Sequence, residues 1–248
     1  MPVLAAASGG CTRTGRSRGL TRRRPGPDAA GMQITYYLEV TSSWCFWAEP
    51  TWAELKRRYA GRATFQWKTA LMDRADFPAS HAQYDWFLQR SAAVMASSFV
   101  PNSAYYEWPL PGGYPAASAV AEAARNLGAT GDEVRCALSH AAYREGQKVG
   151  RLDVAAAIAA RVSGLDVAAL QAGAQSGVVA ARMQQTTAEF HALRVAQRPT
   201  FVIEDAIGDR AVFSGLVRLE PLVATIEAMQ ADVAAYADFQ ARRPGPPA

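Results

Sequence analysis

Two groups of strand-like segments stand far apart in this sequence, and the chain between them carries almost no strand signal. Residues 33–40 are β-branched and aromatic, and residues 63–69 alternate in polarity, as strands do. Residues 199–204 and 210–214 form a second pair, whose five-residue turn is typical of an antiparallel hairpin. A two-stranded sheet is only marginally stable by itself. We therefore expect all four segments to form one sheet.

The segments between and around these strands have helical periodicity. Residues 46–60 place large apolar side chains on one face, and residues 218–237 form a last amphipathic helix. Gly61 is expected to close the first of these helices, while Asp132 (with Thr130) and Asp166 are expected to cap two others. Further helical stretches lie near 80–97, 116–127, 131–144, 151–161, 166–172 and 177–193.

The resulting order is β-α-β, then helices, then β-β-α. It predicts an α/β fold of the thioredoxin type, interrupted by an all-helical insertion. The thioredoxin-like domain is assigned to residues 32–77 and 193–240, and the insertion to residues 78–192. Residues 241–248 are expected to form a disordered tail.

The first 31 residues are rich in Arg, Gly, Ser and Pro and contain little to bury, so we expect them to be disordered. Their composition fits an Arg-rich transit-type peptide better than a secretory signal. The other interpretation is a wrongly assigned start, because regular structure begins directly after Met32.

Charge and composition exclude several classes of protein. Six arginines of the first 31 residues face one acid, whereas residues 32–248 carry 20 Lys and Arg against 21 Asp and Glu. A near-neutral body without a basic stripe argues against nucleic-acid binding. No apolar run reaches the roughly 18 residues that span a bilayer, and the three cysteines are too few for a disulfide-built fold. We expect a cytoplasmic protein without nucleic-acid or membrane partners.

The first candidate for chemistry is Cys45, within Thr-Ser-Ser-Trp-Cys-Phe-Trp-Ala-Glu-Pro (residues 41–50). It lies where the first strand passes into the first helix, and the unpaired N–H groups and the helix dipole there stabilise a thiolate. Position alone therefore predicts a lowered pKa and a nucleophilic sulfur. A helix that begins near Phe46 keeps Pro50 in the first turn, where its missing N–H removes no bond. The alternative is that Cys45 is a small buried residue of the core, as most free cysteines are.

The second candidate is the segment Arg198-Pro199-Thr200, directly before a buried strand. Cis peptide bonds are uncommon and mark deliberate turns, and a proline at this place is a candidate for one. Taken alone, Pro199 fits the start of an edge strand equally well.

Together these residues resemble the DsbA family, in particular its cytoplasmic FrnE-like branch, with the kappa-class glutathione transferases and 2-hydroxychromene-2-carboxylate isomerases as cousins. The resemblance rests on Trp44-Cys45 after the first strand, the helical insertion, and the Pro-Thr-Phe strand from Pro199. It extends over about residues 33–237. It also includes Tyr-Arg-Glu-Gly-Gln from Tyr143, the helix start at Gly164-Leu-Asp, and Phe-Ser-Gly from Phe213.

The resemblance implies that Cys45 attacks the substrate and that Pro199 is a cis-proline facing it, with the Pro199–Thr200 backbone pairing with the partner. The neighbouring substrate-binding residues are then Ser42, Ser43, Trp44, Phe46, Trp47 and Arg198. No tightly bound cofactor is implied; glutathione is the expected co-substrate, and related folds often form homodimers.

The chain departs from the oxidoreductases at one position, because Ala48 stands where they carry the second cysteine of Cys-x-x-Cys. Neither Cys11 nor Cys136 is an obvious substitute. Three functions stay open. The first is a single-cysteine thiol–disulfide oxidoreductase that glutathione resolves. The second is a glutathione-dependent isomerase or transferase acting on a small aromatic or electrophilic compound, whose relatives carry a serine at the position that Cys45 matches. The third is a non-catalytic scaffold that binds a peptide along its edge.

Other polar residues give weaker signals. Cys136 and His140 are spaced for one helix face, but no third metal ligand is in view, so we predict no metal site. His191 is a candidate base near Cys45, although a histidine at a helix end is also favourable for the helix itself. Several aromatic residues of the insertion are expected in the core or along a ligand cleft: Tyr84, Trp86, Phe87, Tyr105, Tyr106, Trp108 and Tyr114.

Overall fold

The computed structural model describes residues 31–107, 115–215, 218–243 and 245. The strands are Gln33–Leu38 (β1), Thr64–Thr69 (β2), Thr200–Glu204 (β3) and Arg210–Ser214 (β4). The helices are Ser43–Arg58 (α1), His81–Val94 (α2), Pro115–Asn126 (α3), Glu133–Tyr143 (α4), Leu152–Ser163 (α5), Val167–Ala174 (α6), Gly177–Ala192 (α7) and Leu219–Arg242 (α8). The segments predicted to be strands or helices are thus confirmed in type and order. The predictions for residues 1–30, for Trp108 and for Tyr114 lie outside the described residues.

The strands form one sheet in the order β2-β1-β3-β4. β1 pairs in parallel with β2 and antiparallel with β3, and β3 pairs antiparallel with β4. This is the predicted single sheet: an α/β fold of the thioredoxin type, in which the chain leaves the sheet after β2 and returns at β3. β1 is central because both halves of the chain pair with it.

Alternation along β1 decides which helices cover each face of the sheet. Ile34, Tyr36 and Leu38 belong to the main core, together with buried side chains of α1 and α8 such as Leu55 and Ile226. Tyr37 points to the other face, where it packs with Val202 and with Phe190 of α7. The last helix of the insertion therefore covers the sheet face opposite α1.

Helix α1 begins earlier than predicted. Ser42 is its N-cap and α1 runs from Ser43, so Pro50 lies inside the helix rather than in its first turn. Pro50 has no N–H to donate to the carbonyl of Phe46, four residues earlier. Ser42 caps the first turn through its side chain, and this bond sets the start of α1. The position of Pro50 in the sequence did not reveal that start.

Two of the predicted helix ends also differ. Asp132 holds the N-cap position of α4 but makes no capping bond, because its carboxylate binds Trp52, Lys56 and Arg135 instead. Helix α1 ends at Arg58, so Gly61 belongs to the following turn. The cap predicted at Asp166 is confirmed, since its side chain accepts the N–H of Ala169.

None of the helices in the described ranges is both long enough and apolar enough to cross a bilayer.

The packing of α7 against α3 can be tested with two neighbouring valines. Val179 is fully buried against Ala119, Ala123 and Met183, whereas Val178 is 65% exposed. Val179→Ala is expected to lower the free energy of unfolding by about 2 kcal/mol, since it removes two buried methyl groups and leaves a cavity. Val178→Ala is expected to change it by less than about 0.5 kcal/mol. Denaturant titration of both variants measures the difference, and equal effects would contradict this packing.

Candidate active site

Three elements meet at one edge of the sheet, where β1 ends. Tyr37 near the end of β1 pairs with Thr200 at the start of β3. Residues 39–42 connect β1 to α1 along the same edge, and the Arg198–Pro199 peptide directly precedes β3. That peptide bond is cis, as the resemblance to the DsbA family implied. The two candidate segments, far apart in sequence, thus belong to the same edge of the sheet.

Ser42 forms the entrance to α1. Its Oγ accepts the N–H of Cys45 at 3.4 Å, and its carbonyl accepts the N–H of Phe46 at 3.0 Å. Within the described part of the chain, the N–H groups of Ser43 and Trp44 make no hydrogen bond, and both residues are partly exposed. These free N–H groups and the helix dipole make the start of α1 favourable for a negative charge.

Cys45 is the third residue of α1 and lies in its first turn. It is 2% exposed and packs in the main core. Burial raises the pKa of its thiol to about 11, and the carboxylates of Glu49 and Glu39 add to the rise. Hydrogen bonds from the Ser42 side chain and the Glu39 backbone oppose this change without reversing it. The lowered pKa predicted for Cys45 is therefore wrong, because desolvation outweighs the helix start.

Glu39 is a site residue that the sequence analysis missed. It follows β1 directly and is buried, and its carboxylate accepts a hydrogen bond from Ser118 Oγ of α3 at 2.6 Å. Burial raises the pKa of this carboxyl, while the bond from Ser118 and the positive charge of Arg198 oppose the rise. Because its charge acts on both Cys45 and Arg198, Glu39 links the two candidate segments electrostatically. The sequence did contain a signal for this residue: an acidic side chain at the end of a strand that was predicted to be buried.

The backbone around the cis peptide is already partly occupied. The Pro199 carbonyl accepts the N–H of Gly215 at 2.8 Å, and Thr200 lies between β1 and β4 with its hydroxyl bound to the Gln197 carbonyl at 2.6 Å. Both groups expected to pair with a partner are thus engaged within the protein. Among the described residues, the backbone N–H and C=O of Arg198 make no hydrogen bond, so the free backbone lies one residue earlier.

The side chain of Arg198 faces the protein. Its guanidinium donates to the Ala70 carbonyl at 2.6 Å and to the Leu71 carbonyl, pairs with Asp76 at 3.2 Å, and lies 4.5 Å from the Phe190 ring centroid. These bonds attach the cis-proline segment to the chain after β2. Substrate binding by this side chain stays a prediction.

The aromatic residues at the start of α1 differ in their surroundings. Phe46 packs against Phe99 and Tyr143, and Trp47 Nε1 donates to Ser91 Oγ at 3.0 Å. Trp44 is partly exposed, with the Arg90 guanidinium 5.9 Å from its ring centroid. Phe46 and Trp47 are partly exposed as well, so ligand binding by these three aromatic residues stays a prediction.

The remaining candidate residues, Cys136, His140 and His191, make contacts within the protein. Cys136 Sγ donates to Glu49 at 3.4 Å, and His140 lies 3.2 Å from Glu145. The described residues contain no cluster of three or more metal-binding side chains. His191 packs beside Phe190 at the end of α7.

The state of Cys45 can be measured by alkylation. In a variant that keeps Cys45 as its one cysteine (Cys11→Ser, Cys136→Ser), iodoacetamide is expected to react about 200-fold or more slowly at pH 8 than with a free cysteine of pKa about 8.5, since fewer thiolates are present. The rate is expected to rise about tenfold per pH unit toward pH 11. Mass spectrometry on folded and urea-unfolded protein gives both rates. Fast labelling at pH 7 in the folded protein would contradict a buried, protonated thiol.

Among solved structures, the cytosolic disulfide reductase DsbM from Pseudomonas aeruginosa has a TM-score of 0.63 at 20% identity, covering 79% of this chain and 98% of that one. Its structure with GSH gives 0.62 at 19% identity over the same shares. A 2-hydroxychromene-2-carboxylate isomerase gives 0.55 at 16% identity, covering 84% of this chain and 98% of that one. At these identities the likeness shows the fold.

A search of curated proteins gives no match to this chain. The family model of the DSBA-like thioredoxin domain, in contrast, matches residues 33–227, which span both parts of the sheet and the whole helical insertion. The chain therefore belongs to the DSBA-like thioredoxin domain family.

Proposed function

We propose that this protein is a glutathione-dependent enzyme that binds the glutathione thiolate at the start of α1 and uses it for isomerisation of, or transfer to, a small electrophilic or aromatic compound. One observation carries the proposal: the position that caps α1 holds a serine hydroxyl, while the nearby sulfur of Cys45 is buried with a pKa of about 11. Because Cys45 is buried and protonated, we infer that the reacting sulfur comes with the co-substrate.

The entrance of α1 offers what a bound thiolate requires. The N–H groups of Ser43 and Trp44 and the helix dipole stabilise a negative sulfur there. The Ser42 hydroxyl, which hydrogen bonds to the Cys45 sulfur in this structure, turns its proton to the thiolate when glutathione binds. The free N–H and C=O of Arg198, next to the end of β1, suit the peptide groups of glutathione. DsbM, a neighbour in fold, has a structure with GSH, which supports a thiol ligand for this site.

The chemistry balances without an oxidant. The glutathione S–H loses its proton to solvent, and the thiolate sulfur forms a bond to an electrophilic carbon of the substrate. In a transfer reaction a leaving group departs with the electron pair, or the neighbouring carbon takes up a proton. In an isomerisation the new C–S bond breaks again after rotation about the adjacent carbon–carbon bond, which returns the thiolate. The 2-hydroxychromene-2-carboxylate isomerase among the neighbours supports this class of reaction.

A glutathione-dependent reaction fits a compartment that keeps thiols reduced. We therefore retain the cytoplasm as the proposed location, in line with the cytosolic DsbM among the neighbours.

The proposal predicts that Ser42 matters more for turnover than Cys45. Ser42→Ala is expected to lower kcat/KM for conjugation of glutathione to 1-chloro-2,4-dinitrobenzene about 10- to 100-fold, because a hydrogen bond to a charged group is lost. Cys45→Ser is expected to stay within about threefold of the unmodified protein. Ser176→Ala is a matched control, since Ser176 caps α7 with the same kind of bond to the third residue of its helix.

The outcome separates the functions. Loss of turnover in Cys45→Ser with retention in Ser42→Ala would overturn the proposal in favour of chemistry at Cys45. Absence of any glutathione-dependent turnover or of glutathione binding by calorimetry would favour the non-catalytic scaffold.

A second candidate, thiol–disulfide exchange at Cys45, has one observation in its favour: the Ser42 side chain and the Glu39 backbone hydrogen bond to the Cys45 sulfur and favour its ionised form. In that cycle the Cys45 thiolate attacks a disulfide, forms a mixed disulfide and releases one thiolate. Glutathione thiolate then attacks the substrate's sulfur in the mixed disulfide, which returns Cys45 and leaves a glutathione mixed disulfide.

The structure also indicates where a second cysteine would create a disulfide pair. The Ser42 side chain accepts a hydrogen bond from the N–H of Cys45, so it lies close to this residue. Ala48 lies one turn further along, in a regular and buried part of α1. Disulfides need Cβ atoms about 3.5–4.5 Å apart, and side chains three residues apart inside a helix are about 5–6 Å apart. Ser42→Cys is therefore expected to form a disulfide with Cys45 under glutathione redox buffer, and Ala48→Cys is not. Thiol counting by mass spectrometry checks this, and a disulfide in Ala48→Cys alone would contradict it.

A further inference from the structure

Three tyrosine hydroxyls from different segments of the insertion form one hydrogen-bonded group beside the candidate active site, and two of them donate to the same backbone carbonyl. Tyr84 comes from α2, Tyr105 from the following loop and Tyr143 from the end of α4. The Thr41 carbonyl accepts hydrogen bonds from Tyr143 Oη at 2.6 Å and from Tyr105 Oη at 3.2 Å. Tyr84 Oη donates to Tyr143 Oη at 3.3 Å and is also hydrogen bonded to Tyr105 Oη. We name Tyr84, Tyr105 and Tyr143 the tyrosine cluster.

The tyrosine cluster is buried and polar at the same time. Tyr105 and Tyr143 are 1% and 0% exposed, and their ring centroids are 5.2 Å apart. Burial raises the pKa of both phenols well above the usual value, so both stay neutral donors. Ring packing alone would be served by phenylalanine, whereas a buried hydroxyl is costly unless it is hydrogen bonded. The hydroxyls therefore have a role that is distinct from filling the core.

That role follows from the peptide unit to which they bind. The Thr41 carbonyl and the Ser42 N–H belong to the same peptide plane. Two tyrosines bind this plane at its oxygen, and the Glu39 carbonyl binds it at the other end by accepting the Ser42 N–H at 3.0 Å. A peptide plane that is fixed at both ends also fixes the direction in which the Ser42 side chain leaves the backbone.

We propose that Tyr105 and Tyr143 are positioning residues for thiol activation: they hold the Thr41–Ser42 peptide so that the Ser42 hydroxyl and the free N–H groups of α1 are aimed at the bound thiolate. This inference rests on the proposed function. It makes the helical insertion part of the activating machinery, although none of its tyrosines needs to touch the sulfur.

The test measures the ionisation of the bound thiol. Glutathione is bound to the full chain, and the thiolate absorbance near 240 nm is followed against pH. In Tyr105→Phe/Tyr143→Phe, which removes the hydroxyls and keeps the rings, the midpoint is expected to rise by about one pH unit, equivalent to a tenfold weaker stabilisation of the thiolate. At pH 7, kcat is expected to fall about tenfold while KM for glutathione stays within about threefold.

Tyr106→Phe is the matched control. Tyr106 is equally buried and adjacent in sequence, but its hydroxyl donates to the Pro78 carbonyl, away from Thr41. Its removal is expected to leave the pH midpoint unchanged, so a general weakening of the core is separated from a specific effect on Ser42.

Each outcome decides. An unchanged midpoint in the folded double variant would overturn the positioning role, as would an equal shift in Tyr106→Phe. Should the double variant not fold, Tyr143→Phe alone carries the same decision, because it removes the shorter of the two bonds. Ser42→Ala distinguishes a failure of the proposed function from a failure of the positioning role. If Ser42→Ala also leaves the pH midpoint of the bound thiol unchanged, the proposed function fails. If Ser42→Ala shifts the midpoint while the tyrosine variants do not, only the positioning role fails.

Discussion

The antiparallel pairing of β1 with β3 is the constraint on which the structure of this protein depends. β1 also pairs with β2, so the pairing joins the two ends of the domain into one sheet. It places the cis peptide before β3 at the edge where β1 passes into α1. Without it, the sheet would separate into two fragments, and neither would bring the start of α1 beside Arg198.

Polar groups at this edge are held by contacts from the insertion. Ser118 of α3 binds the Glu39 carboxylate, Tyr143 of α4 binds the Thr41 carbonyl, and Trp47 of α1 binds Ser91 of α2. In a buried setting such bonds are strong and their absence is costly. The insertion is thus connected to the candidate site by specific hydrogen bonds as well as by its apolar packing.

The sequence predicted the sheet and the helices because strand alternation and helical periodicity are local signals, and the cis Pro199 was implied by the resemblance to the DsbA family. The sequence did not predict the ionisation of Cys45. That property depends on desolvation, and desolvation depends on the helix starting at Ser43, which turns the third residue into the core.

The hydrogen bonds of Glu39, Tyr105 and Tyr143 were equally beyond local patterns. Tyr143 lies 102 residues from the carbonyl that it binds, and Ser118 lies 79 residues from Glu39. A side chain's hydrogen-bond partner at such a separation is set by tertiary packing. The resemblance to the DsbA family located the edge, whereas the hydrogen-bonding partners of the groups that lie there are set by the tertiary structure.

The position of β1 in the sheet has a consequence for biosynthesis. β1 and β2 leave the ribosome early, but β3 begins at Thr200, roughly 130 residues after β2 ends at Thr69. At about 5–20 residues per second, the nascent chain carries a central strand that is paired on one side only for about 7 to 26 seconds. During that interval the open side of β1 exposes unsatisfied backbone groups, which are a template for intermolecular pairing. The helices α2–α7 can form in the meantime. The β3–β4 hairpin and α8 are synthesised last, and they complete the sheet on the open side of β1 and the core beneath it.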